Sequence, residues 1–512
     1  MMKKTFTNSL IIGLTTIIAL VLVGGFIGLA ADDSDDVLRV RARTGQDIET
    51  MDPAYHFGAE EYNINLAIFS RLMKYKPESQ ELTLDAAKSV EVSEDGKTVS
   101  FELKQGIQFH KGYGELTAED VKFSYERIIN PENESPYKSS WRTLDHVEVT
   151  GKYTGKLVFN KPLASLFTTS IPYTAGAIIS KKAYEDLGDK FATHPIGSGP
   201  YRWAKWSPNQ KIVLERFEDY YGEKPEFATI EILPIENTKS AEMAFDRGEI
   251  DDTFISLDSV GRYKKKDDAV VHKLTTLRSH FFGFNVQKPP FDKLKVREAL
   301  RYAINVNEII VGAYNGVPKR NDCMLPGEML GSWDECPKFQ QNVEKAKELL
   351  KEAGYPNGFE TDIIIEPDPP TPLAAQIIQQ QLLKVGVVTH IKQVENGYET
   401  LKKLPSAMHY YTFSLNLNPG YWFEWFTCAQ AGKWNFSGWC NEEYDQLLEE
   451  AATTMDQETR AQNFVKMQKI MAEEVPLVFI TNGAKVHVTQ PDIKPAYLGQ
   501  YSQYAYYEKA EG

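Results

Sequence analysis

The sequence predicts an α/β protein of more than one domain, and three observations carry that reading. Segments with the two-residue alternation of a strand recur between segments with the spacing of an amphipathic helix. The chain has 512 residues, beyond the size at which a single hydrophobic core stops growing, so two or three domains are expected. Its composition, 42% hydrophobic and 25% charged, is that of a globular protein and excludes a disordered, collagen-like or multi-span membrane chain.

The elements follow in order. Val37-Leu38-Arg39-Val40-Arg41 alternates as a strand, and a turn-rich piece over 44–53 follows. Ile64, Ala67, Ile68 and Leu72 give 62–72 helical spacing, and 90–103 reads as a hairpin turning at Glu94-Asp95-Gly96-Lys97. Thr117 as N-cap with Asp120 three residues on starts a helix that runs to about Ile128, where Asn130-Pro131 stops it. Gly197-Ser198-Gly199-Pro200-Tyr201 is a permissive turn leading into the strand Ile212-Val213-Leu214. Helices are expected over 296–310, 344–353, 373–385, 444–451 and 461–472, with strands at 363–365 and from Val387. The alternation implies largely parallel sheets; no internal repeat or low-complexity segment interrupts it.

The N-terminus points to export. Lys3 and Lys4 precede an uncharged apolar run over 10–30, which ends in small residues at Gly28, Ala30 and Ala31 and is followed by Asp32, Asp33, Asp35 and Asp36. This is the pattern of a secretory signal peptide cleaved near Ala30. An uncleaved membrane anchor is the alternative, because the run approaches spanning length; Gly24 and Gly25 favour cleavage. No cysteine near the cut supports a lipid anchor, and the rest of the chain holds no apolar run of spanning length. A periplasmic location is expected.

The four cysteines fit an oxidising compartment. Cys323 and Cys336 stand 13 positions apart and Cys428 and Cys440 stand 12 apart, which reads as two local disulfides. The rival, a four-thiolate metal site, lacks the C-x-x-C spacing such sites use. The net charge is -14, with 57 Lys plus Arg against 71 Asp plus Glu, so the positive field that nucleic acid requires is missing. The nine histidines are scattered without an H-E-x-x-H, and no metal or cofactor is expected. Glu94-Asp95-Gly96-Lys97-Thr98 contains G-K-T, but Glu91 stands where a phosphate loop needs glycine. Gly197-Ser198-Gly199 is not a nucleophile elbow.

Several blocks together resemble the peptide/nickel class (family 5) of extracytoplasmic solute-binding proteins, the dipeptide- and oligopeptide-binding family. They are 62–72; Phe101 to Leu103 through Phe109-His110-Lys111-Gly112 to Thr117-Ala118-Glu119-Asp120-Val121; Pro195 to Tyr201 with Trp206 and Tyr220-Tyr221; Val296-Arg297-Glu298-Ala299-Leu300 with Tyr302-Ala303-Ile304; and Cys428 with Cys440 before Asn441 and Asp445. The resemblance implies a two-lobed periplasmic-binding-protein fold (type II, cluster C), with an extra α/β subdomain inserted in lobe I. It also implies the order signal peptide 1–30, lobe I 31–65, insert 66–193, lobe I 194–272, lobe II 273–476 and lobe I 477–512. The chain should cross a hinge near 272–284 and 476–482. A solute held between the lobes would close them and be delivered to the membrane permease of an ABC importer, by a monomer that breaks no bond. An oligopeptide is the leading solute.

One departure bears on the ligand. The family's dipeptide and oligopeptide binders place an Asp upstream of that cysteine against the ligand's amino terminus, whereas Phe413-Ser414-Leu415-Asn416-Leu417-Asn418-Pro419 holds no acid. A buried ammonium without a carboxylate partner is costly. A non-peptide solute, such as an oligosaccharide or modified amino acid, is therefore the alternative. An exported hydrolase is the alternative from another class, though no carboxylate pair is singled out.

The ligand candidates are Tyr411, Phe413, Asn416, Asn418, Tyr421, Trp422 and Trp425, because aromatic faces with interleaved amides suit amphipathic solutes. Asn in an apolar strand needs a hydrogen-bond partner. Asp368, in Glu366-Pro367-Asp368-Pro369-Pro370 after a buried strand, is expected to line lobe II. Arg278, beside His280 where the chain enters that lobe, can pair a ligand carboxylate bidentately. Met51, in Thr50-Met51-Asp52-Pro53 near His56, is expected where the ligand meets lobe I.

Overall fold

Val37–Arg41 alternates between half-buried and buried positions, and its buried residues seat it at the centre of a seven-stranded sheet. The computed structural model describes residues 36–510 except Phe57, Glu328, 404–407 and Leu415, so the expected signal peptide lies outside the described residues. In spatial order the sheet is Val270–Thr275, Ala484–Thr489, Asp252–Ile255, Val37–Arg41, Thr229–Leu233, Lys211–Arg216 and Tyr201–Ser207. A second, five-stranded sheet runs Val388–Gln393, Glu360–Ile365, Met408–Ser414, Arg278–Phe284, Leu477–Thr481. A third holds Ala87–Val92, Thr98–Leu103, Thr154–Phe159 and Leu144–Gly151, with the helix Ala118–Ile129 packed on it. This is the two-lobed α/β fold with an added α/β unit.

The sheets are mixed rather than largely parallel. Val37–Arg41 and Glu360–Ile365 are parallel to both of their neighbours, but every other pairing in these sheets is antiparallel. Short hairpin connections, such as the turn at Asn209 with φ 57°, force antiparallel neighbours where helical crossovers are absent. The Thr117 capping box forms, with Asp120 reaching back to the Thr117 N–H, and the helix ends at Ile129.

Two expected helices differ. The 62–72 pattern starts earlier and stops earlier, as Ala59–Ile68, because Phe69 turns extended. There the Gly199 N–H donates to the Ile68 carbonyl at 2.7 Å, and a Cβ on Gly197 would come within 2.1 Å of that oxygen. The glycines of 197–199 are thus required for two backbones to touch. The 296–310 pattern is two helices, Leu294–Ala303 and Val306–Tyr314, because Asn305 caps the second by accepting from the Glu308 N–H at 3.2 Å.

The first and second sheets are joined by two short crossings. Val270–Thr275 passes to Arg278–Phe284 through 276–277, and Leu477–Thr481 passes to Ala484–Thr489 through 482–483. The first lies inside the expected 272–284, and the second runs one residue past the expected 476–482. The Thr276 hydroxyl donates to the Asn482 carbonyl, tying the crossings together. Gly483 sits at φ +72°, its N–H donating to Thr481 Oγ1 at 3.0 Å. A Cβ there would come within 2.9 Å of the His280 ring.

Both cysteine pairs are bonded, with Cα–Cα distances of 6.2 Å for Cys323–Cys336 and 4.5 Å for Cys428–Cys440. Replacing Cys428 and Cys440 together by Ser is expected to lower stability by about 3 kcal/mol, the chain-entropy value for a loop of about a dozen residues. Chemical denaturation of the full chain measures it, and an unchanged midpoint would mean that this loop is held by its packing alone.

Candidate functional site

Met408–Ser414 ends at the top of the five-stranded sheet, and the chain then turns through Asn416 and Asn418 into the short helix Pro419–Glu424. Asn418 caps that helix, accepting from the Gly420 N–H at 3.1 Å, and Asn416 Oδ1 accepts from the Asn418 N–H at 2.9 Å. Both asparagines line a cleft of about 520 Å³, together with Tyr421 and Trp425. That volume lies within the ~300–1,000 Å³ of small-molecule sites. The opposite wall is built by Tyr137, Ser139, Arg142, Ser165, Thr169 and Tyr173, from the segments flanking the four-stranded sheet. The Ala164 N–H donates to the Ala452 carbonyl at 3.3 Å, so the two walls touch at one rim.

Trp425 is the centre of the aromatic wall. Its ring stacks on Phe413 at 5.1 Å and meets Trp434 edge-on at 4.8 Å, while Tyr421 meets it at 5.3 Å. Trp434 lies against Tyr398 at 4.1 Å. The Trp425 Nε1 donor and the Gln430 Oε1 acceptor, both on side chains lining the cleft, have no hydrogen-bond partner among the described residues. Unpaired buried donors and acceptors are costly, and a polar ligand would satisfy them. Burial, reinforced by Glu424, pushes the Tyr421 hydroxyl pKa up and keeps it neutral.

The other candidates separate. Trp422 is fully buried and does not line the cleft; its Nε1 donates to the Asn416 carbonyl at 2.8 Å, so it props the cleft loop from behind. Phe413, 5% exposed, lies under Trp425. The Tyr411 ring packs on Phe413 and Phe436, and burial pushes its hydroxyl pKa up to about 12. Met51 is also fully buried, its N–H bound to the Ala192 carbonyl at 2.7 Å, which places it in the core. Its neighbours are structural too. Asp52 accepts two 2.7 Å bonds from Arg127, and His56 meets Asn65 at 3.0 Å. These bonds use the loop after the first strand to hold the insert in place. Arg278 is exposed at the start of its strand, just after the first crossing, donating to Ser414 Oγ at 3.3 Å, and Asp368 is exposed in the loop before Thr371–Leu383; neither lines the cleft.

Sequence reasoning missed the whole opposite wall and Gln430, Trp434 and Arg460. The missed aromatics Tyr137, Tyr173 and Trp434 carry the same signal as the residues singled out, but no local pattern says which loops converge.

A two-lobed α/β fold holding an aromatic cleft, its two sheets joined by two short crossings, is that of a solute-binding protein. The chain belongs to family 5 of the bacterial extracellular solute-binding proteins, whose middle-region model matches residues 81–433. It is 29% identical over 467 residues to the dipeptide-binding protein of Escherichia coli K12, covering 84% of this chain and 86% of the relative. It is 27% identical over 489 residues to heme-binding protein A of Haemophilus influenzae, covering 89% of each. Among solved structures it is similar to an ABC transporter-associated periplasmic binding protein of Helicobacter pylori in complex with the peptide STSA. That likeness has a TM-score of 0.73 and 26% identity, and it covers 93% of this chain and 98% of the other.

Two predictions follow from this geometry. Trp422→Ala should cost about 3–5 kcal/mol of stability, whereas Trp425→Ala should cost less and remove ligand binding. Calorimetric melts with and without ligand separate them, and normal ligand response in Trp425→Ala would move the site elsewhere. Burial also lowers the pKa of His56, His280 and His409 from 6.5 to about 3, with Arg71 contributing at His56 and Arg278 at His280. Unfolding lets each bind a proton below pH 6.5, so their stabilisation is complete above that pH and drains as pH falls toward 3. Glu60, pushed up to about 7 by burial, acts oppositely between its ordinary 4.5 and 7, but the three histidines outweigh it. Denaturation midpoints should therefore fall from pH 7 to pH 5, and a flat profile would contradict the buried, neutral imidazoles.

Proposed function

We propose that this protein captures a solute, an oligopeptide in the leading reading, in the cleft lined by Trp425 and hands it to an ABC importer by closing about the 276–277 and 482–483 crossings. The unpaired Trp425 Nε1 and Gln430 Oε1 beside an aromatic wall carry the reading, because they are placed for a ligand that is both apolar and hydrogen-bonding. The peptide named with the Helicobacter pylori structure and the E. coli dipeptide binder support a peptide. No covalent chemistry is assigned to the cleft, and the protein is read as a transport component rather than an enzyme. We read it as a periplasmic monomer, exported by cleavage near Ala30, with the lobes and insert divided as the sequence suggests.

The steps are binding and closure. Ligand entering between the walls is held by Trp425, Tyr421, Asn416 and Asn418 on one side. Tyr137, Tyr173, Ser139 and Thr169 line the other. Contacts made to both walls exist only in the closed form, so the ligand shifts the open–closed equilibrium by its differential affinity for that form. The closed pair of lobes presents one surface to the permease.

A non-peptide solute is the second reading. The described part of 413–419 carries no acid to hold an amino terminus, and the similar Haemophilus influenzae protein is named for heme.

Adding the correct solute should raise the melting temperature as ln(1 + [L]/Kd) and reduce the radius of gyration in X-ray scattering. A solute that raises the melting temperature with no compaction would rule out delivery by closure. Native mass spectrometry of protein purified from the periplasm, before and after denaturation, identifies what is carried. A ladder of peptides supports the leading reading, and a single non-peptide mass replaces it.

A further inference from the structure

The hairpin turn over 93–97 is exposed at Ser93, Glu94, Asp95 and Lys97, yet Gly96 within it is buried. Two segments cover it. A Cβ on Gly96 would lie 3.1 Å from Met455 Cγ and 3.2 Å from Pro162 Cβ. Pro162 follows the strand Thr154–Phe159 of the same four-stranded sheet. Met455 comes from the other side of the cleft, in the connector between the helices Glu442–Thr453 and Gln457–Glu474. The second of these helices shares a core with Phe479 of the five-stranded sheet through Phe464, Met467 and Met471. Beside Met455, the Ala452 carbonyl accepts the 3.3 Å bond from the Ala164 N–H, and Ala164 is buried. That carbonyl lies in the last turn of Glu442–Thr453, where a helix leaves its carbonyls without partners of its own.

The turn that Met455 meets is shaped in advance. The Gly96 N–H donates to the Ser93 carbonyl and the Ser93 N–H to the Thr98 carbonyl, each at 2.9 Å. Asp95 Oδ1 accepts from the Ser93 hydroxyl at 2.6 Å and from the Lys97 N–H at 3.1 Å. Gly96 sits at φ +67°, which side chains resist, and its bare Cα leaves room for a flexible thioether. Met455 is half-buried and is not among the residues lining the cleft, so it joins the two walls without touching what the cleft holds. One hydrogen bond and one methionine remove little apolar area from water, which makes a contact weak enough to break and re-form.

We propose that Met455 and the Ala452 carbonyl are a clasp at the cleft rim, which sets how much of the time the cleft stands open separately from the ligand's own contacts. This rests on the reading that the cleft closes about its solute. A contact made only in the closed form lowers the free energy of that form with or without solute, so it also slows release.

Spin labels on cysteines replacing the exposed Asp186 and Lys466, one on each side, report the separation of the walls in the full chain. Solute is first removed by unfolding and refolding with the disulfides intact. Met455→Asp, which puts a carboxylate beside Glu94 and Asp95, should raise the population at the longer separation about fivefold, while Met455→Leu leaves it unchanged. Met455→Ala should shift it the same way by less, and it decides the matter if Met455→Asp does not fold. The tetrapeptide Ser-Thr-Ser-Ala, named with the Helicobacter pylori structure, is the ligand probe, and it should leave Met455→Asp faster than it leaves the native chain. A separation that the probe shortens equally in the native chain and in Met455→Asp, with no difference between them beforehand, would overturn the clasp and keep closure. A separation that neither the probe nor any substitution alters would overturn both. A shift on substitution with no response to the probe upholds the clasp and counts against a peptide.

Discussion

The rest of the molecule depends on two chain crossings lying side by side. Every strand of the five-stranded sheet is reached through residues 276–277 and left through 482–483, and the Thr276–Asn482 hydrogen bond joins those segments. The sheets on either side are stiff, because their backbone groups are paired and their cores are packed. The backbone is least constrained where that pairing stops. Gly483 is suited to this: its φ of +72° is one that side chains resist, and the imidazole of His280 occupies the space a Cβ would take. The same strand, Arg278–Phe284, pairs with Met408–Ser414, the strand that leads into the cleft loop. The crossings and the cleft loop thus share one ladder.

That rigidity explains why so many of the expected ligand residues are buried. An aromatic wall binds well only if its rings are fixed before the ligand arrives, since ordering them on binding would cost affinity. Phe413 backs Trp425, and Trp422 pins the Asn416 carbonyl. Phe281 and Phe426 continue the packing beneath Phe413. The asparagines do two jobs. As cap and turn residues they set the loop's course, and both also line the cleft.

How far the sequence reveals this depends on the range of the interaction. Local signals read correctly: the Thr117–Asp120 box, the Gly96 hairpin turn and the cysteine pairs at short separation all depend on neighbours within about a dozen residues. The glycines of 197–199 were legible as permissive, but their reason, contact with the backbone of Ile68, joins segments far apart in the chain. The break at Asn305 was overlooked because the apolar spacing continues through it, while a cap depends on a single side chain. For the site, composition marked the right stretch, 411–425, without separating faces. Trp422 and Trp425 are alike in type and differ in that the first lies within the short helix Pro419–Glu424 and the second caps its end. Met51 and Asp52 were expected at the ligand because they follow the first strand, yet the buried Arg127 needed a counter-charge and took Asp52.

Two buried arginines, Arg127 and Arg460, show how charge is distributed about the cleft. Arg127 is neutralised within the fold, so its burial cost is met whenever the chain folds. Arg460 is held by neutral oxygens alone, so part of its desolvation cost remains in the unliganded protein. The missing acid in 413–419 leaves that stretch of the cleft wall without a fixed negative charge for a ligand's amino terminus, and that is the ground on which a peptide and a non-peptide solute differ in what the wall would have to offer.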